Sequence, residues 1–149
     1  MKYRHSRMMT MGEPSGVTNL HAHGKHVYVD YVGFQPQHHW QDGQWLLNIL
    51  QNAVNRSGIR EVHAHVEIFD GEVSPPGFAA VVLIDESHVS AHCYSDRGWL
   101  ALDAFTCGNH DPENIVDIIH DSLTSSCPDI TQMRRDTVNR FLHEKPQEN

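Results

Sequence analysis

The sequence has few basic residues and no long apolar run, and both absences exclude classes of protein. Its 149 residues include 11 Lys and Arg against 19 Asp and Glu, a formal net charge of -8 with neutral histidines. Nucleic-acid binding needs clustered Lys and Arg to neutralise phosphates, so this balance argues against such partners. No apolar run approaches the roughly 20 residues of a membrane-spanning helix. The first 24 residues also lack the apolar core of a secretory signal.

Cysteine is scarce as well. The three cysteines, Cys93, Cys107 and Cys127, form no CxxC pair and cannot all pair within one chain. This usage is typical of a reducing compartment, so we predict a cytoplasmic protein that does not associate with membranes. The chain is long enough for one domain with a hydrophobic core and too short to divide comfortably into two.

The patterns along the chain predict one domain between two irregular ends. Residues 1–24 mix Met, His, Gly and Ser without periodicity, which predicts a flexible N-terminal arm. Residues 25–143 carry regular patterns and are predicted to form the domain. Residues 144–149 are predicted to be a polar tail.

Hydrophobic periodicity predicts the secondary structure of this domain. A helical apolar stripe covers residues 41–56 and is followed by Ser57-Gly58, a typical helix end. The run FAAVVLI at 78–84 predicts a strand covered on both faces. Further strands are predicted at 27–31, 59–69, 89–94 and 99–105, and further helices after Asp111-Pro112 and at 131–143. This order predicts an α+β two-layer sandwich, in which an antiparallel sheet of about four strands packs on two or more helices.

Chemically distinctive residues follow the apolar run at 78–84. The tetrapeptide Asp-Glu-Ser-His occupies 85–88, His92 lies five residues after Ser87, and Thr-Cys-Gly occupies 106–108 at the end of the next hairpin. Charged groups directly after a buried strand need partners or solvent. Taken alone, 85–88 is best interpreted as a polar turn. The combination of the three segments is more specific.

This combination resembles the bacterial and archaeal S-adenosylmethionine decarboxylase family. The family signature is an apolar strand, Glu-Ser-His, a second His and, after a hairpin, Thr-Cys-Gly. The matching residues here have matching spacings, and the resemblance extends over roughly residues 25 to 125. It implies a homodimer with sites near the interface and a role in polyamine synthesis.

The resemblance also implies roles for four residues. The Ser87 hydroxyl attacks the carbonyl of Glu86, the chain is cleaved between them into α and β chains, and Ser87 becomes a pyruvoyl group. That group forms a Schiff base with the substrate amine. His92 matches the processing base and Cys107 the proton donor, roles that suit imidazole and thiol. The structural alternatives are a hydrogen-bonded histidine and a small buried residue at a strand end.

The segment that binds substrate in the family differs here. The serine that assists processing falls at Ala79, with Ser74 as a candidate replacement, and the aromatic residue that stacks on adenine has moved. The candidate substrate-binding residues are Glu67, Phe69, Glu72, Phe78, Tyr94 and Asp96. The acids among them leave arginine or ornithine open as the substrate, because carboxylates bind guanidinium and ammonium groups. S-adenosylmethionine is favoured as the family's usual substrate.

Two other classes of function remain as alternatives. Thirteen histidines, with H-x-H pairs at 21–23 and 63–65 and His-His at 38–39, suggest a metal-binding module. No carboxylate or cysteine lies at a diagnostic spacing from them, so we predict no metal site. The second alternative is an unprocessed partner subunit, because Ala79 removes one aid to processing.

Overall fold

Two helices pack on one face of a six-stranded antiparallel sheet in the computed structural model, which describes residues 20–36 and 42–145. The strands run in the spatial order β2-β3-β4-β5-β1-β6. Their bounds are Leu20–Val32 (β1), Glu61–Phe69 (β2), Gly77–Ile84 (β3), Ser87–Tyr94 (β4), Trp99–Cys107 (β5) and Thr131–Glu144 (β6), and the helices are Asp42–Arg56 (α1) and Pro112–Ser126 (α2). The predicted α+β class is confirmed, with six strands rather than about four.

The core lies between the helices and one face of the sheet. Alternate residues of the central strands, such as Val29 and Leu102, are buried there against the apolar stripes of the helices, which include Leu50 and Ile119. Burial of these side chains is the main source of folding free energy. The opposite face carries no helix, and we call it the helix-free face. Its residues on the four central strands include His26, Tyr28, Asp30, Ala79, Val81, Leu83, His88, Ser90, His92, Tyr94, Trp99, Ala101, Asp103 and Phe105.

The helix ends agree with the sequence signals. Gly58 follows α1 with φ 70°, a conformation that glycine adopts without steric cost. The amide of Ile59 donates to the carbonyl of Val54, which is a common way to close a helix. At the start of α2, the side chain of Asp111 accepts a hydrogen bond from the amide of Glu113.

The prediction of a helix at 131–143 is wrong, because this segment forms β6 and pairs with β1 along its length. Val138, Phe141 and Leu142 have the i, i+3, i+4 spacing of a helical stripe, but all three are exposed. Pairing with β6 satisfies the outer backbone groups of β1, which would otherwise form a free sheet edge. The pairing of β6 with β1 is a long-range contact, and the periodicity of a sequence does not predict such contacts.

Two other boundaries differ from expectation. Strand β1 begins at Leu20, so the last five residues of the predicted arm are in the sheet; residues 1–19 lie outside the described part of the chain. Strand β3 is covered on one face rather than both, since Leu83 on the helix-free face is 42% exposed. At the other end, Glu144 belongs to β6, and the rest of the predicted tail beyond Lys145 is not described.

The sheet interleaves the two halves of the chain. β1, β2 and β3 precede residue 86, whereas β4, β5 and β6 follow it. β1 lies between β5 and β6, and β4 lies between β3 and β5. β1 of the first half is therefore inserted between two strands of the second half. β4 of the second half is paired directly with β3 of the first half.

The structure also bears on two predictions from composition. All three cysteines are buried and free of disulfides, as their spacing suggests. Neither described helix is long and apolar enough to cross a membrane. The cytoplasmic location stays a prediction.

Candidate active site

A two-residue turn joins β3 to β4 and contains the predicted cleavage point. Ile84 pairs with Ser87 across the hairpin, which leaves Asp85 and Glu86 as the turn. Asp85 has φ 39°, an uncommon conformation for a residue other than glycine. Its carboxylate accepts a hydrogen bond from Nε of Arg60 at 2.9 Å. The Glu86–Ser87 peptide bond therefore follows directly on a turn with unusual backbone geometry.

Ser87 and Cys107 meet at the same end of the sheet, although 20 residues separate them. The Ser87 hydroxyl donates to the Cys107 sulfur at 3.1 Å, and both residues are buried. Around them, the amide of Gly108 donates to the carbonyl of His23, which fixes the end of β5 against β1. The Thr106 hydroxyl donates to the carbonyl of His110 and holds the following turn. The Ser87 hydroxyl and the Cys107 thiol are thus in contact in a buried position at this end of the sheet.

Asp103, which the sequence reasoning missed, is the centre of a polar network on the helix-free face. Its carboxylate lies 2.8 Å from Nε2 of His26 and 3.5 Å from Nε2 of His88, and it accepts a hydrogen bond from the Ser90 hydroxyl. Burial alone would raise the pKa of Asp103, but the hydrogen bonds from His88, Ser90 and His26 together lower it to about 2. A lone acid within the apolar strand WLALDAFTC is a signal that could have found this network.

His26, His88 and Asp103 are also the group of described residues that could hold a metal ion, with ligand atoms within 4.8 Å of one another. However, Nδ1 of His26 lies 3.0 Å from a guanidinium nitrogen of Arg140, which can only donate. His26 Nδ1 therefore accepts, and its Nε2 carries the proton donated to Asp103. A metal would have to displace this bond beside a guanidinium charge, so we interpret the cluster as a hydrogen-bond network.

The histidine pairs suggested from the sequence are not brought together. The pair at 21–23 is on β1 and the pair at 63–65 is on β2, and three strands separate β1 from β2 in the sheet. His65 is exposed and is paired with Glu67 at 2.9 Å. Residues 38–39 lie outside the described part of the chain.

His92 lies far from Ser87 within this chain. The two residues are five positions apart on β4, and a rise of about 3.3 Å per residue separates them by roughly 16 Å. His92 instead pairs with Ala79 and shares a cavity of about 240 Å³ with Ser74, Phe69 and Tyr94. Strand β4 therefore has two chemically distinct ends, with Ser87 at one and His92 at the other.

The substrate-binding candidates lie at the His92 end or on its periphery. Phe78 is 3% exposed and packs on Phe34 in the core, and it also lines the cavity of about 240 Å³ that His92 shares. Tyr94 is 47% exposed, and its ring is 6.0 Å from that of Trp99. The three acids Glu67, Glu72 and Asp96 are exposed on β2, the loop after it and the turn after β4. A separate cavity of about 670 Å³ lies at the Ser87 end, and none of these candidates lines it; its lining residues are His23, Glu86, Cys107, Phe141, Leu142 and His143.

Comparison with known proteins gives one consistent result. The family model of S-adenosylmethionine decarboxylase matches residues 25–136. The chain is 34% identical to the S-adenosylmethionine decarboxylase proenzyme of Pyrococcus horikoshii over 113 residues, 75% of this chain and 78% of that protein. It is 30% identical to the proenzyme of Caldicellulosiruptor saccharolyticus over 130 residues, 85% and 95% of the two chains. The crystal structure of adenosylmethionine decarboxylase from Aquifex aeolicus has the same fold, with a TM-score of 0.57, 23% identity and coverage of 86% and 98%.

The lowered pKa of Asp103 predicts an acid-dependent loss of stability. Because this pKa lies below 3.8, the charged carboxylate stabilises the fold above the unfolded-state pKa, and the contribution is lost as pH falls toward about 2. The shift corresponds to roughly 2 kcal/mol. Asp103→Asn should therefore be less stable than the parent near neutral pH, and the difference should shrink as the pH approaches the folded pKa.

Urea unfolding across this pH range tests the prediction in a Ser87→Ala background, which removes the predicted cleavage. Asp96→Asn, at an exposed acid of the β4–β5 turn, is the control and should follow the parent at every pH. A stability difference for Asp103→Asn that does not change with pH contradicts the assignment.

Proposed function

The chain belongs to the S-adenosylmethionine decarboxylase family, and we infer that it is a self-processing decarboxylase that acts on S-adenosylmethionine. The observation that carries this inference is the buried hydrogen bond from Ser87 to Cys107 beside the turn at 85–86. It brings together two of the three segments that match the family signature, 85–88 and 106–108.

We propose that Ser87 is the processing nucleophile. Its hydroxyl oxygen attacks the carbonyl carbon of Glu86, and the peptide link becomes an ester. Elimination across Cα and Cβ of residue 87 releases a chain ending at Glu86, and hydrolysis of the remaining enamine, with loss of ammonia, leaves a pyruvoyl group at residue 87. A serine hydroxyl needs activation for such an attack. The unusual backbone at Asp85 supports the proposal, since strain is often stored at reacting peptide bonds.

The pyruvoyl group, once formed, supplies an electron sink for the carbanion left when carbon dioxide departs. The residues around position 87 fit this group, because a hydroxyl-bearing side chain is already buried there beside the rim of a cavity lined by Glu86 and Cys107. We propose that Cys107 holds the proton that is returned to the substrate α-carbon. Its sulfur is 3.1 Å from the Ser87 oxygen and is sheltered from bulk water.

We further propose that the cleaved halves stay together as α and β chains. Cleavage at 86–87 separates β1, β2 and β3 from β4, β5 and β6, which the sheet interleaves. β1 would remain hydrogen-bonded to β5 and β6, and β3 to β4. Separation would require three ladders to break at once, along with the shared core.

The distance from His92 to Ser87 supports a homodimer. Within one chain, about 16 Å of strand separates them, so we propose that the processing histidine of each site comes from a second copy. Packing of two helix-free faces about a two-fold axis would bring the His92 end of one β4 to the Ser87 end of the other. Ser74 lines the same cavity as His92, so it would enter the same site of the partner. Its hydroxyl could assist processing there, which the Ala79 methyl group cannot do.

The helix-free face has the composition expected of such an interface. It exposes Leu83, Tyr94 and Trp99, each more than 40% accessible, around a polar centre at Asp103. Exposed aromatic and aliphatic residues on one face often mark a protein contact.

Two substitutions separate processing from turnover. Ser87→Ala should leave the fold intact and stop cleavage, whereas Cys107→Ala should permit cleavage and reduce turnover, by about 10²-fold or more for loss of a proton donor. Intact mass after purification reports the cut, and carbon dioxide release reports turnover. A single uncut parent chain would mean a partner subunit instead of an enzyme.

The substrate is tested by carbon dioxide release from S-adenosylmethionine, arginine and ornithine in parallel. We expect release from S-adenosylmethionine, because the chain matches the S-adenosylmethionine decarboxylase family model over residues 25–136 and its relatives are named for that substrate. Faster release from arginine or ornithine would assign the chain to a divergent branch of the family. Chelation should change neither activity nor stability; a loss on chelation would favour the metal-binding alternative.

Complementation tests the origin of the processing base. Neither Ser87→Ala nor His92→Ala should be cleaved when produced alone. When both are produced together, mixed dimers contain one site with an intact Ser87 and an intact His92 from opposite copies. The His92→Ala chain should then be cleaved and the Ser87→Ala chain should not. No cleavage in the mixture, with heterodimers present, would contradict an action of His92 across the interface.

A further inference from the structure

Position 87 loses two of its restraints when the chain is cut as proposed. In the intact chain, Ser87 pairs with Ile84 across the β3–β4 turn, and its hydroxyl donates to the Cys107 sulfur. The ladder between β4 and β5 begins one residue later, at His88 and Phe105, so Ser87 lies outside that ladder. Cleavage opens the turn, and conversion to a pyruvoyl group removes the hydroxyl. His88 is then the first residue of β4 that is paired with both neighbouring strands.

The His88 side chain is held on the helix-free face by a carboxylate and by two rings. Its Nε2 donates a long hydrogen bond of 3.5 Å to the Asp103 carboxylate, which is charged and can only accept. The His88 ring also packs edge-on against the rings of Phe105 and His26, at centroid distances of 5.8 and 6.0 Å. Contacts from β5 and β1 therefore locate this ring.

Asp103 is itself held by shorter bonds. Its carboxylate is 2.8 Å from Nε2 of His26 and also accepts from the Ser90 hydroxyl. A guanidinium nitrogen of Arg140 lies 3.0 Å from Nδ1 of His26, so this ring is fixed through both of its nitrogens. His26 belongs to the fragment before the cut, and the other residues belong to the fragment after it. The network therefore ties the start of the new terminus to both fragments.

We propose that His88, held by Asp103, is a positioning residue of the decarboxylase, which fixes the cleaved terminus so that the carbonyl group at position 87 stays beside Cys107. This proposal rests on the proposed function and gives a part to a network that neither cleavage nor proton return uses. A displacement of about 1 Å at a reacting group can cost on the order of a hundredfold in rate. Neither His88 nor Asp103 lines the cavity beside Ser87, so both would act through residue 87.

Replacement of His88 separates positioning from substrate binding. His88→Ala removes the ring and its bond to Asp103, so kcat per cleaved chain should fall by on the order of tenfold to a hundredfold. KM for S-adenosylmethionine should stay near the parent value, because no contact with substrate is removed. His88→Gln places an amide donor near the position of Nε2 and should retain more of kcat than His88→Ala. Intact mass gives the cleaved fraction, and carbon dioxide release gives kcat and KM.

Amide hydrogen exchange at the new terminus tests the restraint directly. In the cleaved His88→Ala protein, the first peptide of the C-terminal fragment should exchange on the order of tenfold faster than in the cleaved parent, because a hydrogen bond to a charged group is lost. In the uncut Ser87→Ala background, the same change should affect this exchange much less, since the β3–β4 turn still holds residue 87. A general packing role would change both forms equally.

Two further variants complete the experiment. Asp103→Asn weakens the same bond from its other side and repeats the kinetic test if His88→Ala folds poorly; it should also lower kcat with KM near the parent value. His63→Ala removes an exposed histidine from the edge strand β2 and is the matched control, which should leave kcat, KM and exchange unchanged.

The possible results distinguish the proposal from its alternatives. A parent-like kcat in cleaved His88→Ala and Asp103→Asn would overturn it, as would a His88→Gln variant no more active than His88→Ala. Equal changes of exchange in the cut and uncut proteins, or loss of cleavage in both variants, would also overturn it and assign the network to folding or to processing. Absence of cleavage and of carbon dioxide release in the parent chain would instead remove the proposed function itself.

Discussion

The position of β1 between β5 and β6 is the constraint on which the rest of the structure depends. β1 comes from the half of the chain before residue 86, and both of its neighbours come from the half after it. Its backbone groups are hydrogen-bonded on both edges, which makes it a central strand rather than an edge. A break in the turn after β3 would therefore remove one covalent link and none of the strand pairing. If the chain is cut between β3 and β4, this interleaving of strands keeps the two fragments in one sheet.

The network around Asp103 adds a second constraint at the point where the cut would fall. His88, the residue after Ser87, is tied through Asp103 to His26 on β1, and Arg140 extends the ties to β6. Four of the six strands are thereby joined through side chains on an otherwise open face. Once the chain is severed, residue 87 becomes a terminus, and termini fray unless they are held. The neighbouring side chain is held by a carboxylate that stays charged over most of the pH scale.

The sequence predicted what depends on local pattern and on motif. The alternation around Val27–Val29, the stripe of α1 and the cap at Asp111 follow from the chemistry of nearby residues, and the structure confirms them. The convergence of Ser87 and Cys107 followed from resemblance. The identity of β6 could not be predicted, because its partner is more than a hundred residues away and its own charged residues suit a helix equally well. Asp103 stands out in the sequence as a lone acid in an apolar strand, but its partners His26, His88 and Ser90 come from other strands and could not be predicted from local pattern.

The division of β4 into two ends has a consequence for how processing would start. A strand paired on both sides cannot fold back over about 16 Å, so the base proposed at His92 cannot reach Ser87 without a second copy. Attack on the Glu86 carbonyl would then wait for association of two chains. Cleavage would be second order at low protein concentration and first order once dimers predominate. Ala79 fits this arrangement, because Ser74 shares a cavity with His92 and its hydroxyl would accompany His92 into the neighbouring site. The proposed cut would thereby be linked to assembly, and a chain folded alone would remain intact.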